Sequence, residues 1–514
     1  MRVFVVVLRI VVVYNKERKI RIGGVKMSVE KDKQMAESIA RKVAEHGGRT
    51  FYVGGYVRDK MLGKQNKDID IEVHGVTPDV LRQILKTEGE LRTQGASFGV
   101  YNLAHYDIDI AQPRKEHATG RGHKDFEVFV DPFIGYEAAA KRRDFTINAM
   151  MEDVLTGEIV DPYDGQDDIK NHVIRHVNDE SFKEDPLRVL RGAQFAARFG
   201  FDIAPETKSL MQSMDLTALS KERIYGELQK ALMKADRPSV FFNTLRDVNQ
   251  LEPWFHEVND LIGCRQNEKF HPEGDVYNHT MQVLDEAARL KSDAKQPEFF
   301  MMSALCHDMG KPSTTSVDEN GIVHSYGHDV AGRDVAEQFL KHLNNDVSLS
   351  KYVCNMCELH MSSAQMYEAN SRVKKTNALY DRSVCPSDLI LLSCADTAGK
   401  GFRCKQKTSL RAWCFDRLDM YNERMKQPQV GGKDLMNLGL KPSPMFSELI
   451  TKAHQLHLSG VDKEAVLKDF KTKLTKSGVL PKEDVKEVHK NRVRELDEKF
   501  GNLTDECQTD IEYE

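Results

Sequence analysis

A chain of 514 residues exceeds what one hydrophobic core supports, so three or four compact units are expected. With 40% hydrophobic and 30% charged residues it reads as a soluble globular protein, and a net charge of −5 excludes holding a polyanion by overall charge: any nucleic-acid surface must gather its basic residues locally. Nine cysteines, odd in number and without framework spacing, exclude a disulfide-stapled scaffold and point to a reducing, cytoplasmic compartment.

Residues 2–14 (RVFVVVLRIVVVY) are apolar but interrupted by Arg9. The run is shorter than the roughly 20 residues of a membrane span, and no small-residue cleavage site follows it. Residues 1–28 are therefore read as an extension with Met27 a candidate start, and no membrane association is expected. Glu30–His46 is patterned as an amphipathic helix, Arg49–Val53 as a strand, and Gly54-Gly55 breaks it before a short helix over Tyr56–Leu62. Residues 67–73 (KDIDIEV) alternate strictly, which predicts a strand with Asp68, Asp70 and Glu72 on one face and Ile69, Ile71 and Val73 on the other. Tyr106–Ala111 repeats the alternation with Asp107 and Asp109, and Glu127–Val130 and Glu158–Val160 read as further short strands. Strand signals then stop. Leu187–Phe199, Arg223–Met233 and Pro238–Asp247 carry helical periodicity, and the chain stays helical beyond them. This places an α+β unit at 29–168, a helical neck at 169–255, a helical domain at 256–405 and a helical tail at 406–514.

Gly54-Gly55-x-x-Arg58 lies between a strand and a helix, where backbone N–H groups can approach a triphosphate and Arg58 can bind its oxygens. Asp68 and Asp70, two positions apart on a strand, put two carboxylates on one face, as two Mg²⁺ ions require to activate a hydroxyl and stabilise leaving pyrophosphate. The alternative is a solvated acidic strand edge. Asp109 is the candidate third carboxylate. Gln112–Lys124 (QPRKEHATGRGHK) is a basic loop, either simply solvated or a clamp on nucleotide or primer.

Glu184-Asp185-x-x-Arg188 suggests nucleotide choice without a template. Cytosine and adenine both present an amino donor beside a ring-nitrogen acceptor, whereas uracil and guanine present the opposite order. A carboxylate only accepts and a guanidinium only donates. With Asp185 and Arg188 at i and i+3 on one helical face, C and A are paired while U and G leave groups unpaired. The competing reading is an ordinary surface ion pair.

FYVGGYVRDKMLG with KDIDIEV, then KRRDFTINAM (Lys141–Met150), DPYDGQDDI (Asp161–Ile169), EDPLRVLRGAQFAARFGF (Glu184–Phe201) and SKERIYGEL (Ser220–Leu228) stand in the order found in class II tRNA nucleotidyltransferases. The chain resembles that family, which includes bacterial poly(A) polymerases. The resemblance implies a mixed-sheet nucleotidyltransferase palm followed by all-α neck, body and tail. It implies that Arg143, Asp144 and Asn148 bind the ribose and phosphates of the incoming nucleotide and that Arg191 adds a phosphate contact.

His279, His307-Asp308 and Asp396 can supply the mixed N/O ligands of a divalent transition metal, and His328 and His360 between them can complete a second position. The order His, His-Asp, His, His, Asp, with Lys311 after the pair, resembles the HD phosphohydrolase domain fused to some CCA-adding enzymes. That resemblance implies phosphatase or cyclic phosphodiesterase activity with Ni²⁺, Co²⁺ or Mn²⁺; a decayed RNA-binding body is the alternative. His324 and His342 read as surface histidines, and Cys354-x-x-Cys357 as two helical thiols.

The expected function is transfer of CMP and AMP from CTP and ATP to the tRNA 3′ end, with Mg²⁺ and no template, and with no DNA partner. Poly(A) synthesis, partial CC or A addition, or a hydrolase with an inactive polymerase half are the rivals. Oligomeric state is open.

Overall fold

The computed structural model describes residues 29–64, 66, 68–92, 100–118, 126–401 and 404–481. The extension at 1–28, the 119–124 part of the basic loop and the tail beyond 481 lie outside the described residues. The chain divides into two compact units: one runs to Gly263 and includes Gln338–Asn345, and the other comprises Cys264–Glu337 and the chain from Asp346 onward.

The first unit begins with helix α1 (Val29–Glu45), whose Met35, Ile39 and Val43 recur at helical spacing and are buried. Strand β1 (Arg49–Val53), helix α2 (Gly55–Met61), strand β2 (Ile69–His74) and helix α3 (Pro78–Glu88) follow, then β3 (Leu91–Arg92), β4 (Val100–Leu103) and β5 (Ile108–Ala111). A separate hairpin, β6 (Arg114–Ala118) with β7 (Phe126–Val130), leads through α4 (Tyr136–Lys141) to β8 (Met151–Asp153) and β9 (Ile159–Val160). The main sheet has seven strands in the order β3-β4-β5-β2-β1-β8-β9 and is mixed, since β2 and β5 run parallel while their other neighbours are antiparallel. Ile69, Ile71 and Val73 face a core shared with Ile39, Val43, Leu81 and Leu85 of α1 and α3, so the intervening Asp70 and Glu72 point to the opposite face.

Several details depart from the sequence reading: Arg114–Ala118 of the expected basic loop forms strand β6, and β2 starts at Ile69, leaving Asp68 outside it. The β5 strand starts at Ile108, leaving Asp107 outside it. Glu72 is 1% exposed rather than part of an open acidic face: it meets His74 at 3.0 Å, Arg143 at 3.2 Å and Arg142 at 3.3 Å. Alternation assigns a face but not its depth, and here the arginines that follow α4 cover it.

The neck comprises α5 (Gly165–Lys170), β10 (Val173–Ile174), α6 (Asp179–Lys183), α7 (Leu187–Phe199), β11 (Asp202–Ile203), α8 (Pro205–Gln212), α9 (Lys221–Lys234), α10 (Ser239–Asp247) and α11 (His256–Asn259). Helix α7 packs on α9 and α10 through buried Val189, Leu190, Ala193 and Ala197.

The second unit is helical: α12 (Val276–Leu290), α13 (Pro297–Cys306), α14 (Lys311–Thr314), the hairpin β12 (Ser316–Val317) and β13 (Val323–His324), then α15 (His328–Leu343, of which the part from Gln338 belongs to the first unit), α16 (Val347–Leu359), α17 (Ser362–Glu368), α18 (Val373–Arg382), α19 (Pro386–Gly399) and α20 (Cys404–Met425). Helix α19 is buried along most of its length, and a Cβ on Gly399 would stand 2.5 Å from Val283 of α12, so these two helices approach closely at their functional ends. At the other end of α19, buried Asp388 accepts hydrogen bonds from the N–H groups of Lys295 and Gln296 and from the Tyr352 hydroxyl. The helices α21 (Gly432–Asn437), α22 (Met445–Leu458) and α23 (Lys463–Lys476) enclose their own small core around Leu435, Val466 and Phe470. Among the described residues no helix is long and apolar enough to cross a membrane.

Candidate active sites

In the first unit a cavity of about 530 Å³ opens between the sheet and the neck. Gly54, Gly55, Arg58, Asp68, Asp70, Arg143, Asp144, Asn148, Asp185, Arg188 and Arg191 all line it. Of the residues expected there, Asp109 and Glu184 are outside the lining. Glu184 is exposed at the end of α6. Asp109 stands in register beside Asp70 on the neighbouring parallel strand, which sets two carboxylates on one face. Its Oδ1 accepts from Asn102 Nδ2. Asp68 is exposed just before β2, with its N–H donated to Asn66 Oδ1. Adjacent carboxylates of one sign are unfavourable unless a cation lies between them, so the donor set fits a divalent metal.

Gly54 has φ +65°, a conformation that favours glycine, and this turn brings the α2 N-terminus to the cavity. Arg58 does not reach freely into the cavity, as the sequence suggested. It is 4% exposed, donates from Nε and Nη2 to Asp59 Oδ1 at 2.8 and 2.6 Å and from Nη1 to Asn148 Oδ1 at 2.6 Å, and lies over the Phe195 and Phe199 rings. Asn148 in turn donates to Asp144 Oδ1 at 2.9 Å, and Arg191 donates from Nε and Nη2 to Asp144 Oδ2 at 2.8 and 2.5 Å. Burial alone would raise the Asp144 pKa, but Arg191 and the Asn148 amide outweigh it and hold the carboxyl below its usual range. Of the residues linked by resemblance, Asp144, Asn148 and Arg191 thus join Arg58 in one continuous polar chain running from palm to neck, while Arg143 pairs with Glu72.

Asp185 and Arg188 also differ from expectation. Pro186 caps the N-terminus of α7, so Asp185 precedes the helix, and its Oδ1 accepts from Leu187 N–H while its Oδ2 takes Arg223 Nη2 at 2.6 Å. Arg188 donates to the Ser181 and Arg142 carbonyls at 2.8 and 2.7 Å. Each is fixed by a different partner rather than by the other. Arg223, in SKERIYGEL, had no assigned part in the sequence; its signal was a basic residue in the first turn of a neck helix.

In the second unit His279, His307, Asp308, His328, His360 and Asp396 converge, all buried. His307, His328 and His360 place Nδ1 at 2.7–2.8 Å from the carbonyls of Ala304, Ser325 and Cys357. A carbonyl only accepts, so each Nδ1 carries a proton, and a neutral ring then turns its Nε2 lone pair to the centre. Asp308 lies between the groups: Oδ1 is 3.3 Å from His328 Nε2 and 3.6 Å from His360 Nε2, and Oδ2 is 3.3 Å from His307 Nε2 and 3.6 Å from His279 Nε2. Asp396 Oδ1 lies 3.0 Å from His279 Nε2. His279, His307 and Asp308 form one group able to hold a metal, and Asp308, His328 and His360 a second. The fit is chemical as well: His328 Nε2 is buried without a hydrogen bond, and burial pushes His360 down to about 4, keeping its imidazole neutral as a ligand must be.

Glu273 was not read from the sequence. Its Oε1 lies 2.7 Å from His279 Nδ1 and 2.8 Å from His271 Nδ1, giving His279 the carboxylate support that metal-bound imidazoles commonly have. It sits in a loop, HPEGD, where no periodicity marks it. Lys311 bonds Asp308 Oδ2 and Gln266 Oε1 at 2.7 and 2.6 Å, and Lys400 bonds Asp396 Oδ2 at 3.0 Å.

Comparison with known proteins agrees with this division. A family model described as the poly A polymerase head domain matches residues 50–175, one described as "Probable RNA and SrmB- binding site of polymerase A" matches 200–262, and the HD domain matches 276–396. The chain is 36% identical over 379 residues to the multifunctional CCA protein of Actinobacillus pleuropneumoniae, spanning 71% of this chain and 90% of that one. It is 40% identical over 310 residues to the protein of the same name from Ralstonia nicotianae, spanning 58% and 69%. A CCA-adding enzyme solved in complex with ATP shares the fold at TM-score 0.59 and 18% identity, covering 89% of this chain and 96% of that one. The Thermotoga maritima CCA-adding enzyme complexed with tRNA does so at TM-score 0.54 and 18% identity, covering 87% and 95%.

Proposed function

The chain belongs to the family of multifunctional CCA proteins, and from that premise we infer that it is a tRNA nucleotidyltransferase adding C, C and A to the tRNA 3′ end from CTP and ATP. The observation that carries the reading is the single cavity in which Asp68 and Asp70 face the neck residues Asp185, Arg188 and Arg191. In each transfer the tRNA 3′-oxygen bonds to the α-phosphorus, the bond to pyrophosphate breaks and the hydroxyl proton leaves. Mg²⁺ held by Asp68 and Asp70, with Asp109 beside them, would supply hydroxyl activation and charge stabilisation of the leaving group. Arg143 and Arg191 offset triphosphate charge; the Asp59–Arg58–Asn148–Asp144 chain keeps Arg191 in place, and Glu72 holds Arg143. Asp185, held by Arg223, accepts from the amino group of C or A, and Arg188 donates to the ring nitrogen.

We further infer a phosphohydrolase at the histidine cluster. Its donor set, imidazoles with two carboxylates, suits Ni²⁺, Co²⁺ or Mn²⁺ better than Mg²⁺. Such a metal would polarise a phosphoryl oxygen and activate water; Lys311 and Lys400 bring positive charge to the phosphate, water adds to phosphorus, and the ester oxygen leaves with the proton. A hydrolase beside the CCA-adding activity can clear blocked tRNA ends.

The test is tRNA lacking its CCA end, incubated with each labelled nucleotide. Incorporation of C and then A, stopping after three nucleotides, is expected. Long A tails would overturn the reading.

A further inference from the structure

Among the described residues of the second unit, the exposed aromatic side chains are Phe270, 54% exposed, and Tyr326, 78% exposed. Single exposed rings are common on protein surfaces, and what sets these two apart is where the chain carries them. Both lie on segments tied to the histidine cluster. Tyr326 stands between Ser325, whose carbonyl holds His328 Nδ1 at 2.7 Å, and His328 itself. Two peptide steps keep its Cα within about 7.6 Å of the His328 Cα. The segment is pinned at its base, where the Thr315 and Ser325 hydroxyls meet at 2.8 Å. The His324 ring stacks on Tyr326, with centroids 5.0 Å apart and planes 12° apart, and is held by Asp318 at 3.0 Å. Phe270 is carried by the loop whose Gln266 holds Lys311 at 2.6 Å and whose Glu273 holds His279 at 2.7 Å.

We propose that Phe270 and Tyr326 form an aromatic rim of the phosphohydrolase site that stacks the terminal bases of an RNA 3′ end whose phosphate enters the histidine cluster. The proposal rests on the phosphohydrolase reading and names its substrate class. The centre takes a phosphate, and the carrier of a phosphate that also offers flat π faces to aromatic side chains is a nucleotide. Stacking tolerates any base, which suits an end that has lost its CCA sequence.

The test is hydrolysis by the full chain of an RNA oligomer ending in a 2′,3′-cyclic phosphate and of ribose 2′,3′-cyclic phosphate, which lacks a base. Tyr326→Ala and Phe270→Ala should each raise KM for the RNA about tenfold, with kcat and the baseless ester unaffected. Tyr326→Phe should restore the wild-type KM. Unchanged KM in both alanine variants, or an equal loss on the baseless ester, overturns the rim. If the wild type hydrolyses neither substrate with any metal, the phosphohydrolase reading fails separately. The rim is then decided by photocrosslinking RNA ending in 5-iodouridine: adducts at Tyr326 or Phe270 support it, and their absence overturns it.

Discussion

Asp70 and Asp109 are register partners on the parallel strands β2 and β5, which places their carboxylates on one face, turned away from the core that Ile69 and Ile71 help form. Asp109 is fixed further by the Asn102 amide. An arrangement that costs like-charge repulsion suits a site that binds cations.

Asp109→Asn is therefore expected to lower nucleotide addition by upwards of about a hundredfold, since charge stabilisation at a metal is worth several kcal/mol. Its melting temperature should be unchanged or raised. A near wild-type rate of incorporation would leave Asp68 and Asp70 as the only carboxylates needed.

Arg188→Ala should relax the choice among nucleotides as well as slow addition. Unpaired groups against the wrong base cost roughly 1–3 kcal/mol, so discrimination of C and A over U and G should fall about 5- to 150-fold in competition assays. A slow variant with undiminished selectivity would locate the choice elsewhere.

Glu72 links acid stability to the cover of the sheet. Burial by itself would raise its pKa, but the His74 hydrogen bond and the Arg143 and Arg142 charges outweigh it and hold the carboxyl at about 2, from 4.5. A depressed carboxylate contributes stability that is full above pH 4.5 and is lost as pH falls toward 2. Glu72→Gln should cost about 3 kcal/mol at pH 7, because two arginines lose their buried partner. Denaturant unfolding should show the gap between wild type and variant narrowing across that window. A gap independent of pH would contradict the ion-pair account.

Glu273→Gln should weaken metal binding in the second unit about 10- to 100-fold, the usual effect of losing an outer carboxylate on a ligating histidine. Titration calorimetry with Ni²⁺ or Mn²⁺ measures this directly, and Glu273→Asp should recover part of the loss. Equal affinities for wild type and Glu273→Gln would show that His279 is oriented without it.

The elements of both sites were legible because they rest on local pattern: KDIDIEV alternates, and the histidines fall at helix ends. What sequence could not give was partnership across distance. Asp59 is bonded to Arg198, 139 positions away, and Asp185 to Arg223, 38 away. The helical face assumed for Asp185 and Arg188 failed because proline tolerates the first helical turn and not its interior, so Pro186 marks the start of α7. Glu273 escaped notice because loop geometry, not periodicity, carries it to His279.

The central claim is that this chain holds two independent chemistries, and its most direct test is to assay Asp70→Asn and His307→Ala for both. Each folded variant is incubated with tRNA lacking CCA, CTP, ATP and Mg²⁺, and separately with an RNA 2′,3′-cyclic phosphate and Ni²⁺, Co²⁺ or Mn²⁺. The account predicts that Asp70→Asn loses CCA addition and keeps hydrolysis, while His307→Ala loses hydrolysis and keeps CCA addition. Loss of both reactions in either variant, or persistence of the targeted one, would contradict it.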